Sequence, residues 1–193
     1  MKSVCVYCGS ADGVDPVYLE AAHQMGQTLA KRGLGLVYGG GRTGLMGRLA
    51  DGALSAGGEV IGVITTSMNT TSLAHPGLTR LDVTGTIHQR KARMYELSDA
   101  YIALPGGYGT LDELFETLTW AQIGEHAKPV GLLNVQGYYA DLLSFILLAE
   151  KEKFIFPEHR QGLLCASDPD ELLDAMHNHV HPVEAVRRWM RQG

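Results

Sequence analysis

This chain of 193 residues is short of charge, of aromatic rings, of cysteine and of long apolar runs, and each shortage excludes a class of protein. Only 19% of residues are charged, and acidic side chains outnumber basic ones by 21 to 16. Bulk electrostatics therefore offers no attraction to nucleic acid or to an anionic membrane, and any bound phosphate must be met by local groups. Aromatic residues make up 7%, too few for a platform on which bases of a single strand could stack. Uninterrupted apolar stretches, such as residues 145–149, are far too short to span a bilayer. Three cysteines cannot all pair, which suits a reducing compartment, and a cytoplasmic location is expected. The chain runs directly into a strand at residues 3–7, so no signal peptide is expected.

What is present is an ordinary globular balance, 45% hydrophobic, with strands and helices alternating throughout. Strands are predicted at 3–7, 34–38, 60–64, 79–83, 100–104, 129–133 and 163–166. Helices are predicted at 16–31, 45–56, 87–98, 111–123, 138–151 and 169–179. Continuous apolar strands such as Val60-Ile61-Gly62-Val63-Ile64 suit parallel strands covered on both faces. The expected fold is α/β: a doubly wound, mostly parallel sheet with helices on both faces, Rossmann-like. One domain is expected over 1–180, with residues 181–193 a tail or short helix carrying Arg187, Arg188 and Arg191. The polar stretch 66–72 reads as a mobile loop.

Chemistry concentrates at strand-to-helix junctions. The most informative is Pro105-Gly106-Gly107-Tyr108-Gly109-Thr110-Leu111-Asp112-Glu113. Glycines at a helix start allow close approach of a ligand, and the unpaired N–H groups there suit phosphate. Glu113 would sit one turn away. The segment also reads as a capping box, Thr110 as N-cap and Glu113 reaching back, with Leu111, Leu114, Phe115 and Leu118 buried. A second junction, Gly39-Gly40-Gly41-Arg42-Thr43-Gly44-Leu45-Met46-Gly47, satisfies G-x-G-x-x-G through Gly39, Gly41 and Gly44. NAD is rejected, because the following strand ends in Thr65-Thr66 and not in an acid, while Glu59 stands at its wrong end. Contact with a mononucleotide phosphate or ribose remains, beside simple close packing through the glycines.

On the helix beginning at Ile87, the positions Ile87, Arg90, Met94 and Leu97 share a face, so Arg90 interrupts an apolar stripe. A buried guanidinium needs a carboxylate or phosphate. Cys8-Gly9-Ser10, at the end of the first strand, is a tight turn able to donate to a ligand. The Cys5/Cys8 spacing lacks a second pair, and the alternating His177, His179 and His181 read as a solvated end, so no metal is expected.

With these residues in hand, the chain resembles the LONELY GUY family of cytokinin riboside 5′-monophosphate phosphoribohydrolases, often mislabelled lysine decarboxylases. The resemblance rests on the Gly39–Gly47 loop, Arg90-Lys91 and the P-G-G-x-G-T-x-x-E motif from Pro105 to Glu113, and extends from Val4 to Asn134. It implies hydrolysis of the N-glycosidic bond of AMP or an N6-modified AMP, giving free base and ribose 5-phosphate. By the same resemblance Arg90 and Glu113 match the catalytic pair. Lys91, Gly106, Gly107, Tyr108, Gly109, Thr110, Leu111, Asp112 and Thr119 match nucleotide-contacting positions, and Gly9, Ser10, Gly40, Gly41, Gly44 and Met46 match other parts of the pocket. The family implies a homodimer or larger assembly and no cofactor. A non-catalytic nucleotide carrier on the same fold is the alternative, and the pyridoxal decarboxylase reading has only Lys91 in the cleft to offer a Schiff base. One departure stands out: Ser72 occupies a position where relatives commonly carry Glu.

Overall fold

The computed structural model describes residues 1–182, so the arginines expected in the tail, Arg187, Arg188 and Arg191, lie outside the described residues. Seven strands form the sheet: β1 (Ser3–Tyr7), β2 (Gly35–Tyr38), β3 (Val60–Thr65), β4 (Arg80–Thr84), β5 (Ala100–Ala103), β6 (Val130–Leu133) and β7 (Leu163–Ala166). Their order is β4-β3-β2-β1-β5-β6-β7 and every pairing is parallel, so the sheet is wholly and not mostly parallel. Each strand lies within a residue of its sequence expectation. The continuous apolar runs that identified them also pack them, because alternate side chains enter opposite faces.

In β1, Val4 and Val6 join one core layer with Met25, Leu29, Leu49 and Leu172. Cys5 and Tyr7 join the other with Met94, Leu114, Leu132 and Tyr139. Helices therefore cover both faces: α1 (Pro16–Lys31), α2 (Gly44–Ser55) and α7 (Pro169–His177) on the first, α3 (Ile87–Glu96), α4 (Tyr108–Gln122) and α5 (Ala140–Lys151) on the second. A short α6 (Pro157–Gln161) was not expected; its five residues are too few for a periodic pattern. The chain lays down β1 to β4 in one direction. It then returns through α3 to place β5 on the other side of β1, creating the switch in strand order at which such sheets bind ligands.

Three local expectations are corrected. α4 starts at Tyr108 with Gly107 as N-cap, so Thr110 lies inside the first turn and makes no capping bond. The capping box forms instead at α3, between Thr86 and Gln89. Ile87 and Phe115 are exposed, not buried, since Ile87 borders an open cleft and Phe115 a surface groove. Finally, residues 66–72 are not a bare loop: Thr66–Met68 is a 3-10 turn, Thr66 Oγ1 donates to Thr84 O (3.2 Å) and Arg42 Nη1 to Thr71 O (3.1 Å), and just beyond, Arg42 N–H to Leu73 O (2.9 Å) and His75 N–H to Gly40 O (3.0 Å) join the glycine loop after β2.

Candidate active site

The carboxyl ends of β1, β2, β3 and β5 open into a cleft of about 850 Å³. Two buried charges meet in it. Arg90 Nη1 donates to Glu113 Oε1 at 2.8 Å, and both side chains are more than nine-tenths buried. Arg90 arrives from α3 and is held by a second bond, Nε to the Val63 carbonyl at 2.9 Å. A Cβ on Gly39 would lie 2.4 Å from Arg90 Nη2, so that glycine exists to admit the guanidinium. Glu113 arrives from the second turn of α4. Its Oε2 has no hydrogen-bond partner among the described residues and is left for a ligand or water. Burial pushes the Glu113 carboxyl above the ordinary glutamate range, while the Arg90 charge and hydrogen bond pull it part of the way back.

Of the helix N-termini that border this cleft, the two that follow the glycine loops are not equivalent. At α2, Gly44 N–H is taken by Asp12 Oδ1 (3.1 Å) and Met46 N–H by Gly9 O (3.3 Å), so a resident carboxylate already occupies that end. At α4, the N-cap is a glycine without a side-chain acceptor, and the N–H groups of Tyr108, Gly109 and Thr110 have no acceptor among the described residues. Cβ atoms built on Gly107 and Gly109 meet nothing within 4 Å, so both glycines leave open space. An anion is favoured at α4 and disfavoured beside Asp12.

The remaining expected residues divide. Gly9, Ser10, Gly41, Met46, Lys91, Gly106, Gly107, Tyr108, Gly109, Thr110 and Asp112 line the cleft with Arg90 and Glu113. Lys91 Nζ is drawn sideways into ion pairs with Glu116 (2.9 Å) and Asp112 (3.1 Å). Burial lowers its pKa, and these two carboxylates more than offset that, so the ammonium stays charged. Gly40, Gly44 and Leu111 do not line the cleft. Gly40 and Gly44 serve the backbone, at φ +76° and +56°, and a Cβ on Gly44 would meet Ala11 O at 2.6 Å. Thr119 is on the far side of α4, exposed, its hydroxyl bonded to Phe115 O. It lies in a second groove with Phe115 and Leu118.

Sequence reasoning missed several cleft residues: Val14, Tyr18, Ile64, Met68, Leu73 and Tyr138. Tyr138 was within reach, because the turn after β6 sits at the carboxyl end of a strand next to β5.

A family model described as possible lysine decarboxylase matches residues 46–176. The probable cytokinin riboside 5′-monophosphate phosphoribohydrolase LOGL5 of Oryza sativa subsp. japonica is 48% identical over 181 residues, covering 94% of this chain and 74% of the relative. The cytokinin riboside 5′-monophosphate phosphoribohydrolase LOG1 of Arabidopsis thaliana is 46% identical, covering 96% of this chain and 87% of the relative. Among solved structures, the molybdenum cofactor binding protein from the phototrophic bacterium Rippkaea orientalis matches with a TM-score of 0.69 at 30% identity, covering 92% of this chain and 96% of that one. The molybdenum cofactor carrier protein MCP of Chlamydomonas reinhardtii shares the fold at a TM-score of 0.68 and 22% identity, over 91% and 96% of the two chains. Identity of this extent, spread over a chain whose glycine loops and Arg90-Lys91 pair converge with Glu113 on one cleft, makes the chain a member of the LONELY GUY family of cytokinin riboside 5′-monophosphate phosphoribohydrolases.

Proposed function

We propose that this chain hydrolyses the N-glycosidic bond of AMP and of N6-substituted AMP, releasing free base and ribose 5-phosphate. The observation that carries the reading is the buried Arg90–Glu113 pair, set one helical turn from the open amides of α4. The 5′-phosphate binds those amides, which fixes the ribose with its anomeric carbon toward Glu113. As the bond from that carbon to the base nitrogen breaks, the sugar becomes oxocarbenium-like, and the free Oε2 stabilises the positive charge. The same carboxylate takes a proton from the attacking water, whose oxygen bonds to the anomeric carbon. The base leaves with the electron pair of the broken bond and takes a proton from solvent, while Glu113 returns to solvent the proton it took from the water. Arg90 holds the carboxylate oriented and ionised. Lys91, committed to two carboxylates, fixes α3 against α4.

Incubation with AMP, N6-isopentenyl-AMP, the parent nucleosides and the triphosphates, followed by chromatography of free bases, tests this directly. Release from monophosphates is expected, with only a slow residual release from nucleosides; equal release from nucleosides overturns the role of the α4 amides. A second reading, a non-catalytic carrier, is favoured by the likeness to the Rippkaea orientalis protein. Retained AMP with no adenine released supports it. We further propose that the protein acts in the reducing cytoplasm, as its free cysteines suit, and as a homodimer or larger assembly. The exposed apolar side chains of α4 and α5 would be covered by a second copy.

A further inference from the structure

The three carbonyls that lead into α4 are each tied from behind. Tyr139 Oη donates to Leu104 O at 2.6 Å, Gly9 N–H to Pro105 O at 3.0 Å, and Tyr138 Oη to Gly106 O at 2.7 Å. Two of the three donors are adjacent tyrosines of the turn after β6. That turn is itself fixed. Asn134 Oδ1 accepts from Tyr139 N–H at 2.8 Å, and Gln136 holds a φ of +51°, which a residue with a side chain seldom adopts. The Tyr138 ring packs edge-on against Tyr18 and Tyr139, with centroids 5.7 and 5.0 Å away.

The bond to Gly106 matters because glycine on both sides lets the Gly106–Gly107 peptide flip once that bond is lost. Gly107 has φ −98°, and a half-turn of that peptide would carry it to about +80°, which glycine enters at no steric cost. A trans amide points its carbonyl and its N–H in opposite directions. With the carbonyl held toward Tyr138, the Gly107 N–H points away from it. In the flipped state a carbonyl oxygen would stand beside the open amides of Tyr108, Gly109 and Thr110 and repel a phosphate.

We infer that Tyr138 is a positioning residue: its hydroxyl ties back the Gly106 carbonyl, so that the loop offers only N–H groups to the substrate's 5′-phosphate. The inference rests on the phosphate-anchoring reading above. Tyr138→Phe keeps the ring and its packing and removes only the pin. The hydroxyl lies at the surface, so the variant folds, which circular dichroism checks.

The test compares wild type with Tyr138→Phe in three assays: AMP hydrolysis, adenosine hydrolysis, and calorimetric binding of ribose 5-phosphate. The variant is expected to raise KM for AMP and Kd for ribose 5-phosphate together, about tenfold, as for the loss of a hydrogen bond to a charged group. The residual rate on adenosine, which has no phosphate, is expected not to change. Unchanged ribose 5-phosphate binding overturns the inference, as does an equal loss on AMP and adenosine. Should wild type bind ribose 5-phosphate yet release no adenine, the hydrolase reading falls and the binding arm alone decides on Tyr138. Failure of wild type to bind ribose 5-phosphate overturns both.

Discussion

Arg90 and Glu113 lie 23 positions apart and each is costly to bury alone; together they make a neutral pair at 2.8 Å with one carboxylate oxygen free. Glu113→Gln keeps the shape and an acceptor for Arg90 but loses the charge that would meet an oxocarbenium-like sugar. Base release, followed by chromatography, is expected to fall by at least about a hundredfold, with a circular dichroism spectrum like wild type. The pH dependence has a defined sign. Burial raises the Glu113 carboxyl, so the inactive protonated form accumulates at a pH above the ordinary glutamate value, and the acid limb of kcat/KM is displaced upward. Arg90→Met removes the charge that opposes this shift, and the limb in a pH–rate profile moves higher still. For folding, the same raised carboxyl is an asset only at low pH: it contributes stability that is lost as pH rises through its folded value.

At the scale of elements, the glycines before and within α4 do different work, and substitution separates them. A Cβ on Gly106 would lie 2.1 Å from Thr110 Oγ1 and 2.9 Å from Gly9 N, so Gly106→Ala overpacks the junction and is expected to cost about 1–3 kcal/mol in urea unfolding. A Cβ on Gly109 meets nothing, so Gly109→Ala gains up to about 1 kcal/mol of helix stability. It also places a methyl group where the phosphate would sit, so KM for AMP rises while the midpoint of unfolding holds or increases. At the β4 edge of the sheet, Asp82 pairs with Arg80 of its own strand (2.6 Å) and ties β4 to α3 through Arg93 (2.8 Å). The Arg80 hydrogen bonds, with a smaller part from Arg93, hold its pKa at about 2. The stability this provides is complete above the ordinary aspartate value and is lost as pH falls toward 2. Asp82→Asn is therefore expected to lower stability at pH 7 by no more than about 1 kcal/mol, since the pairs are partly solvated, with the difference vanishing in acid unfolding below pH 2.

Over the whole molecule, the cleft uses the carboxyl ends of the strands, while a flank formed by α4 and α5 carries uncovered apolar side chains. Phe145, Leu147, Leu148 and Phe154 are exposed on and after α5, and Phe115 and Thr119 on α4. Thr119, which the family resemblance sends to the nucleotide, stands on this flank in the isolated chain. A second copy packed there, as proposed above, would reconcile the two placements. Sedimentation is expected to give at least a dimer, and Phe145→Glu, which buries a charge in that contact, to shift the protein toward monomer.

Strand positions, and with them the fold class, were legible in the sequence because the period-two and continuous apolar patterns are local consequences of burial, as the match of β1 to β7 within a residue shows. So was the need of Arg90 for a partner, since a guanidinium in an apolar stripe is a conflict visible in one helix. Which partner it takes was not legible. The pattern Thr-x-x-Glu or Gln occurs at Thr110–Glu113 and at Thr86–Gln89, yet only the second closes into a capping box. The first fails because α4 begins at Tyr108, which puts Thr110 inside the first turn, and Glu113 meets Arg90, brought in by the crossing from β4 to β5. Likewise the two glycine loops read alike as phosphate sites until Asp12, from a third segment, is seen to fill one of them. Sequence by itself determined the elements and the residues too costly to leave unpaired, because propensity and desolvation act within a few residues. Only the tertiary structure decided which groups meet, because hydrogen bonds and ion pairs join whatever the crossovers bring within 3 Å.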